Sequence, residues 1–195
     1  ARRFGKSVAV KMLNAYYDKS CDSQNLFQGL AISKDEDFEK HLNRYPVLYL
    51  DMTDFVTKYG NDEQLVEHIK RDICEELLEL YKGVVMKPND DLMDLLVSIV
   101  NQTGEKFVCL IDEWDALCRE GQEKQMDEYV NLLRRLFKGS MSEYVFACSY
   151  MTGILPIKRY NTQSALNNFD EYTMLSPAQL APYFGFTENE VEQLC

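Results

Sequence analysis

Two short polar stretches of this chain hold residue types that could bind and cleave a phosphoanhydride. Gly5-Lys6-Ser7 has the composition of the end of a phosphate-binding loop, where a lysine contacts phosphate and a hydroxyl contacts Mg²⁺. Asp112-Glu113 directly follows the apolar run FVCLI. The first carboxylate could hold Mg²⁺ together with Ser7, and the second could orient or deprotonate an attacking water.

Neither stretch is specific by itself. The full phosphate-loop pattern needs a glycine five residues before Gly5, which would lie before Ala1, and Gly-Lys-Ser also occurs by chance. An acidic pair after an apolar strand is often just the polar start of a loop. Their co-occurrence favours nucleotide chemistry, because hydrolysis needs charge neutralisation and a positioned nucleophile in one site.

The hydrophobic pattern predicts an α/β fold that places these stretches. Apolar residues at helical spacing predict helices over 7–17, 62–81 (with Asp62 as a cap), 90–100 and 127–137. Continuous apolar runs predict buried strands over 46–53, 106–117 and 144–153. Strands of this kind, separated by helices, indicate a three-layer parallel sheet covered on both faces. Gly5-Lys6-Ser7 then lies at a helix N-terminus, where free N–H groups favour anions.

The rest of the chain is predicted to be less regular. Residues 163–169 are interpreted as a loop or turn, in which Asn167-Asn168 form side-chain-to-backbone bonds. Thr187 and Glu190 make a capping box for a final helix. We expect a phosphate-loop core over 1–175 and the start of a C-terminal helical extension over 176–195.

Composition restricts the classes of function. The net charge of -11 argues against direct nucleic-acid binding by these residues, which would need a basic surface. The six cysteines form no CxxC pair, and zinc spacing with the two histidines is absent, so we expect a reducing, cytoplasmic setting. No apolar run approaches the roughly 20 residues of a membrane span, so no membrane partner is expected.

Three separated motifs resemble the AAA-ATPase-like family of bacterial and archaeal phosphate-loop proteins. They are RRFGKS, LIDEWDAL and MTGILPIKRYNTQSALNNFDEYTML. Members typically read RPRRFGKS or RPRRFGKT, then IDEYDAP, then TGI…SGLNN. The closing YFGFTENEVEQL is similar to the family's F-G-F-T-x-x-E-V stretch, so the resemblance spans the chain. Ala1 replaces the usual proline, and Trp114, interpreted as a packing residue, replaces the commoner tyrosine.

The resemblance implies a phosphate-loop ATPase core of the additional-strand class, with its first strand expected before Ala1. It implies ATP and Mg²⁺ as ligands, and a C-terminal restriction-endonuclease-like nuclease domain in many intact members. A homo-oligomer is a further expectation. The absence of an N-K-x-D guanine signature weakly favours ATP over GTP.

Family roles carry over to matching positions on the nucleotide side. The predicted nucleotide-binding residues are Arg3, Phe4, Gly5, Lys6, Ser7 and Thr152. Thr152 stands where such ATPases keep a polar sensor of the terminal phosphate, or it is a strand-end hydroxyl that satisfies backbone groups. Arg2 and Arg3 either steer the anionic nucleotide or form a solvated basic face.

The predicted catalytic residues are Glu113, Lys6 and Arg159, and the predicted metal ligands are Ser7 and Asp112. Glu113 would activate water. Arg159 would neutralise developing charge, or else is a solvated or locally paired surface arginine. Asp115 either points to the same side as Glu113 or caps the segment that follows.

The sequence thus predicts an ATP-binding domain with slow Mg²⁺-dependent hydrolysis, a hydrolase that acts as the regulatory core for an attached effector. The alternative is a catalytically inactive nucleotide-binding or protein-interaction module. Glu113 favours hydrolysis, because a module that only binds nucleotide does not need it. A nucleic-acid enzyme acting directly through this domain is disfavoured by the negative charge.

Overall fold

The computed structural model describes residues 5–60, 62–119, 123–156, 169–173, 176, 178–183 and 188–194. The strands are β1 (Val47–Asp51), β2 (Phe107–Asp112) and β3 (Phe146–Met151). In chain order the α-helices are α1 (Lys6–Tyr17), α2 (Gln24–Phe27), α3 (Phe38–His41), α4 (Met52–Tyr59), α5 (Leu65–Leu80), α6 (Leu92–Thr103), α7 (Ala116–Arg119), α8 (Glu123–Phe137), α9 (Ser140–Val145) and α10 (Glu188–Leu194). Short 3-10 helices occupy Ala31–Lys34 and Ala178–Tyr183.

The three strands form one parallel sheet in the order β1-β2-β3. In the register between β1 and β2, Asp51 lies beside Asp112, and Ile111 of β2 lies beside Met151 of β3. The carboxyl ends of all three strands therefore meet at one edge of the sheet. The open parallel sheet flanked by helices confirms the predicted α/β fold class.

Alternate residues of β2 face opposite sides of the sheet, as the strand period requires. Val108 and Leu110 pack with Val10 of α1 on one side. Cys109 and Ile111 join the larger core on the other side, which includes residues of α4, α5, α6 and α8. Because both faces are covered, every residue of β2 is buried, which accounts for its unbroken apolar sequence.

Several local predictions were wrong. The strands predicted over 46–53 and 106–117 end earlier, at Asp51 and Asp112, because α4 and α7 follow them. Helix α5 begins at Leu65 with Gln64 as its N-cap residue, and Asp62 instead accepts a hydrogen bond from the Gln64 amide at 2.8 Å. Strand β3 begins at Phe146 rather than at 144, because residues up to Val145 belong to α9. The Tyr144 hydroxyl donates to Asn101 of α6 at 2.6 Å, a tertiary contact that overrides the strand propensity of this segment.

Other predictions lie outside the described residues. They include residues 163–168 of the predicted loop, with Asn167 and Asn168, and the predicted cap at Thr187. The helix that would follow this cap is present as α10. The division at 175 is untested and stays a prediction. In the described part of the chain, no helix is both long and apolar enough to cross a bilayer.

The core of α5 provides a stability test with a matched control. Leu77 is 5% exposed and packs in the larger core, whereas Leu80 of the same helix is 68% exposed. We expect Leu77→Ala to lower the free energy of unfolding by about 2–5 kcal/mol and Leu80→Ala to change it by less than about 0.5 kcal/mol. Denaturant unfolding checks both, and equal losses would contradict the described packing of α5.

Candidate functional site

The amino-terminal end of α1 lies at the candidate site. Gly5 has a φ of 78°, in the left-handed region that suits glycine, and its carbonyl accepts the Ala9 amide at 2.8 Å. Helix α1 therefore starts immediately after Gly5, with Lys6 and Ser7 in its first turn. The amides of a helix's first turn have no partner within the helix, so this end can donate hydrogen bonds to an anion.

Asp112 ends β2 and is almost completely buried. Its Oδ1 atom accepts hydrogen bonds from the Thr152 hydroxyl and, at 3.1 Å, from the Glu113 amide. Thr152 follows β3, and its own amide donates to the Ile111 carbonyl at 2.8 Å. The Thr152 side chain thus fixes the carboxylate at the end of the neighbouring strand. Its Oγ1 atom also accepts the Glu113 amide at 3.4 Å, as the interpretation of a hydroxyl that satisfies backbone groups predicted.

Glu113 has an unusual backbone conformation. Its φ is 52°, a left-handed value that costs a non-glycine residue about 1–3 kcal/mol and is frequent at functional sites. The Glu113 carbonyl accepts the Ala116 amide, and the next residue, Trp114, donates to the Thr152 carbonyl, both at 2.8 Å. These bonds hold the turn that directs the Glu113 side chain toward α1.

Lys6 and Glu113 meet across this edge of the sheet. The Lys6 Nζ atom lies 3.8 Å from Glu113 Oε1, and their side chains are only 21% and 19% exposed. Two residues that are far apart in the sequence, one at a helix start and one after a strand end, therefore belong to a single site. Their contact brings the start of α1 and the end of β2 together at one edge of the sheet.

Sequence reasoning missed Arg119, the last residue of α7. Its Nη2 atom donates to Glu113 Oε2 at 2.5 Å, so the two oxygens of this carboxylate face two different cations. The Arg119 Nε atom lies 3.3 Å from Asp115 Oδ2, within ion-pair distance, although its N–H is not aimed at that oxygen. A basic residue four positions after Asp115 was the available signal, because i,i+4 charge pairs are favourable on helices.

Asp115 lies directly before α7, and its carbonyl accepts the Cys118 and Arg119 amides at 3.1 Å, which fits the predicted cap of the segment that follows. Its fully buried carboxylate accepts the Leu155 amide at 2.9 Å and the Ile154 amide at 3.2 Å. Asp115 therefore joins the start of α7 to the segment that follows β3. The buried charge is matched by these donors and by Arg119, as a carboxylate in the interior requires.

Trp114 is a packing residue, as predicted, and it lies directly against Gly153. A Cβ atom added to Gly153 would lie 2.4 Å from Trp114 Cδ1 and 2.7 Å from Asp115 Oδ1. Only a glycine lets the backbone after β3 approach these two side chains so closely. Gly153 is thus a second residue whose importance the sequence did not reveal.

The strand ends concentrate negative charge. The pKa of the Asp51 carboxyl is raised, mainly by burial. The hydrogen bond from the Thr53 amide opposes this rise, and the nearby Asp54 and Asp112 carboxylates add to it. Asp51 also accepts the Thr53 amide at 3.0 Å as the N-cap of α4. An acidic edge next to Lys6 and Arg119 can hold a cation and an anion side by side.

The oxygen ligands at this edge suit Mg²⁺, which usually binds one or two carboxylates together with phosphates and water. Asp112 supplies a carboxylate, and Ser7 supplies a hydroxyl beside Lys6. Among the residues that the structure describes, no group of three or more His, Cys, Asp and Glu side chains could hold a metal ion. One carboxylate and one hydroxyl would leave the other coordination positions of a bound Mg²⁺ to phosphate and water, the ligands it usually keeps.

The remaining predicted site residues cannot be placed. Arg3, Phe4 and Arg159 lie outside the described residues, as does Arg2. Their roles stay predictions. Of the predicted set, the structure brings Lys6, Asp112, Glu113 and Thr152 to one edge of the sheet, with Gly5 and Ser7 on either side of Lys6.

Comparison with protein-family models matches residues 1–162 to a family described as "Predicted AAA-ATPase". The matched range contains α1, all three strands and every described residue of the site. Searches of curated proteins and of solved structures gave no match. The family match confirms the resemblance seen in the sequence and supports nucleotide binding at a coarse level.

The close approach at Gly153 can be tested with the only tryptophan of the chain as reporter. We expect Gly153→Ala to lower the free energy of unfolding by about 1–3 kcal/mol or more, because the added methyl group overlaps Trp114. The Trp114 emission maximum should also shift, since the ring must move.

Gly104→Ala is the control. Its added Cβ meets no atom within 4 Å, so it introduces backbone strain (φ 73°) without overlap. It should leave the Trp114 emission unchanged. Unchanged emission in both variants would contradict the described contact.

Proposed function

Because the chain belongs to the predicted AAA-ATPase family, we propose that it binds ATP·Mg²⁺, hydrolyses it slowly, and regulates an attached effector domain. The observation that carries this proposal is the 3.8 Å approach of Lys6 Nζ to Glu113 Oε1. The contact supports the proposal because a lysine and a carboxylate this close together could both reach one terminal phosphate.

In the proposed complex, the first-turn amides of α1 and Lys6 bind the β- and γ-phosphates. Lys6 exchanges its contact with Glu113 for the phosphate oxygens. Ser7 and Asp112 would hold Mg²⁺, which neutralises phosphate charge when bound. Arg3 and Phe4 are proposed to border the nucleotide, and Thr152 to contact the terminal phosphate while it holds Asp112.

Glu113 acts on the attacking water. The water oxygen forms a bond to the terminal phosphorus as the bond from phosphorus to the ADP oxygen breaks, and a water proton passes to the Glu113 carboxylate. The products are ADP and inorganic phosphate, and the proton then leaves to solvent. Arg159 is proposed to neutralise charge that develops in the transition state.

The regulatory part of the proposal rests on the family resemblance. We propose that the nucleotide cycle of the core over 1–175 controls a C-terminal nuclease-like domain, with 176–195 as the start of the connection. Assembly into a homo-oligomer and a cytoplasmic, bacterial setting belong to the same proposal. The nucleotide is the direct partner, without direct nucleic-acid contact by these residues.

One observation favours a second candidate, a module that binds nucleotide without turnover. Both oxygens of Glu113 face a cation, Lys6 on one side and Arg119 on the other. A carboxylate that keeps both cations beside it is stabilised as the anion and is therefore a weaker base toward water. The two candidates differ in whether ATP displaces Lys6 from Glu113, so a turnover measurement separates them.

Turnover should depend on the Glu113 carboxylate. We expect Glu113→Gln to reduce the rate of phosphate release by about 10²- to 10⁴-fold in the full-length protein, because the amide cannot accept the water proton. Glu105→Gln is the matched control, since Glu105 is paired with Lys19 away from the site, and it should keep the wild-type rate. Equal rates in wild type and Glu113→Gln would remove the enzyme proposal.

Binding should depend on Lys6. We expect Lys6→Ala to weaken the binding of a non-hydrolysable ATP analogue by about 10- to 100-fold, the value of a hydrogen bond to a charged group. Isothermal titration calorimetry measures the dissociation constant. Lys11→Ala, at an exposed position of the same helix, controls for net charge and should leave binding unchanged. Equal weakening in both variants would show that Lys6 makes no specific contact.

A further inference from the structure

Arg119 has a role that neither the sequence nor the family match assigns. We infer that Arg119 is a positioning residue for Glu113, an inference that rests on the proposed ATPase function. In this account it holds Oε2, so that Oε1 stays directed at the phosphate-binding end of α1 after nucleotide has taken Lys6.

The two oxygens of the Glu113 carboxylate face different cations. Oε1 faces Lys6 at 3.8 Å, and Oε2 accepts Arg119 Nη2 at 2.5 Å. The shorter contact is a charge-assisted hydrogen bond, and the longer one is an ion pair without hydrogen-bond geometry. A phosphate that competes for Lys6 therefore frees Oε1, the oxygen on the nucleotide side, while Oε2 keeps its donor.

Arg119 belongs to a helix that is packed into the core. Helix α7 buries Ala116 and Leu117 completely in the core and packs against α4 and α8. The guanidinium also lies beside the buried Asp115 carboxylate, which the amides after β3 hold in place. A side chain restrained in this way can hold a second side chain within the narrow limits that catalysis needs.

Electrostatic repulsion explains why Glu113 would need a positioning residue when nucleotide binds. A triphosphate that enters next to Glu113 repels its carboxylate, and Lys6 no longer compensates once it binds phosphate. The left-handed backbone of Glu113 adds local strain that a change of conformation would relieve. A cation that stays on Oε2 opposes both tendencies and keeps the base in reach of the water.

The test compares Arg119→Gln and Arg119→Lys with wild type in steady-state ATP hydrolysis by the full-length protein. We expect Arg119→Gln to lower kcat by about 10- to 100-fold, as a misplaced catalytic group does. KM for ATP should change by less than about threefold, because Arg119 does not touch the nucleotide. Arg119→Lys should restore part of kcat.

Two further variants identify the mechanism. In a Glu113→Gln background, Arg119→Gln should cause no further loss of kcat, because residues that act as a unit are not additive. Arg135→Gln removes an exposed arginine that pairs with Asp91 at 2.7 Å away from the site, and it should keep wild-type kcat and KM. Trp114 emission and denaturant unfolding verify that each variant is folded.

The outcomes separate the positioning role of Arg119 from the ATPase proposal. A wild-type kcat in folded Arg119→Gln would make the contact a structural ion pair and overturn the inference, while the ATPase proposal stands. A raised KM with normal kcat would overturn it too, by showing that Arg119 binds nucleotide. No turnover in the wild type would refute the ATPase proposal and the positioning role together.

Discussion

The site depends on the sharing of one carboxylate between two cations from different elements. Lys6 comes from the first turn of α1, and Arg119 from the end of α7, and both reach Glu113. Since these three residues are brought together only by the sheet edge between their elements, their contacts require the fold to be formed. The strained backbone of Glu113 also requires the folded structure, because hydrogen bonds to Thr152 and Ala116 must hold the turn.

The sheet fixes this edge through burial of β2. Alternate side chains of this strand enter the core on opposite faces, so a slip of register by one residue would move each side chain to the opposite face of the sheet. The register also places Asp51 beside Asp112, and Thr152 after β3 bonds to Asp112. Hydrophobic packing of the strands thus determines the position of the carboxylates at their ends. Lys6 and Arg119 offset part of the negative charge of this edge.

Apolar residues at helical spacing were sufficient to predict α1, α5, α6 and α8, and continuous apolar runs were sufficient to predict the three strands. The meeting of Lys6 with Glu113 was predicted because hydrolysis needs both parts in one site, one at a helix start and one at the end of a buried strand. Arg119 did not follow, because its reach to Glu113 depends on the left-handed turn at that residue. Gly153 was missed for a similar reason: its need appears only when Trp114 and Asp115 are placed around it.

The central claim is that the start of α1 and the acidic end of β2 form a single nucleotide site. A crystal structure of the protein with Mg²⁺ and a non-hydrolysable ATP analogue tests this claim most directly. We expect the terminal phosphate to accept a hydrogen bond from Lys6 Nζ, with Mg²⁺ between the phosphates and Asp112 and with Arg119 still on Glu113. An analogue bound elsewhere, with Lys6 still paired to Glu113, would contradict the account.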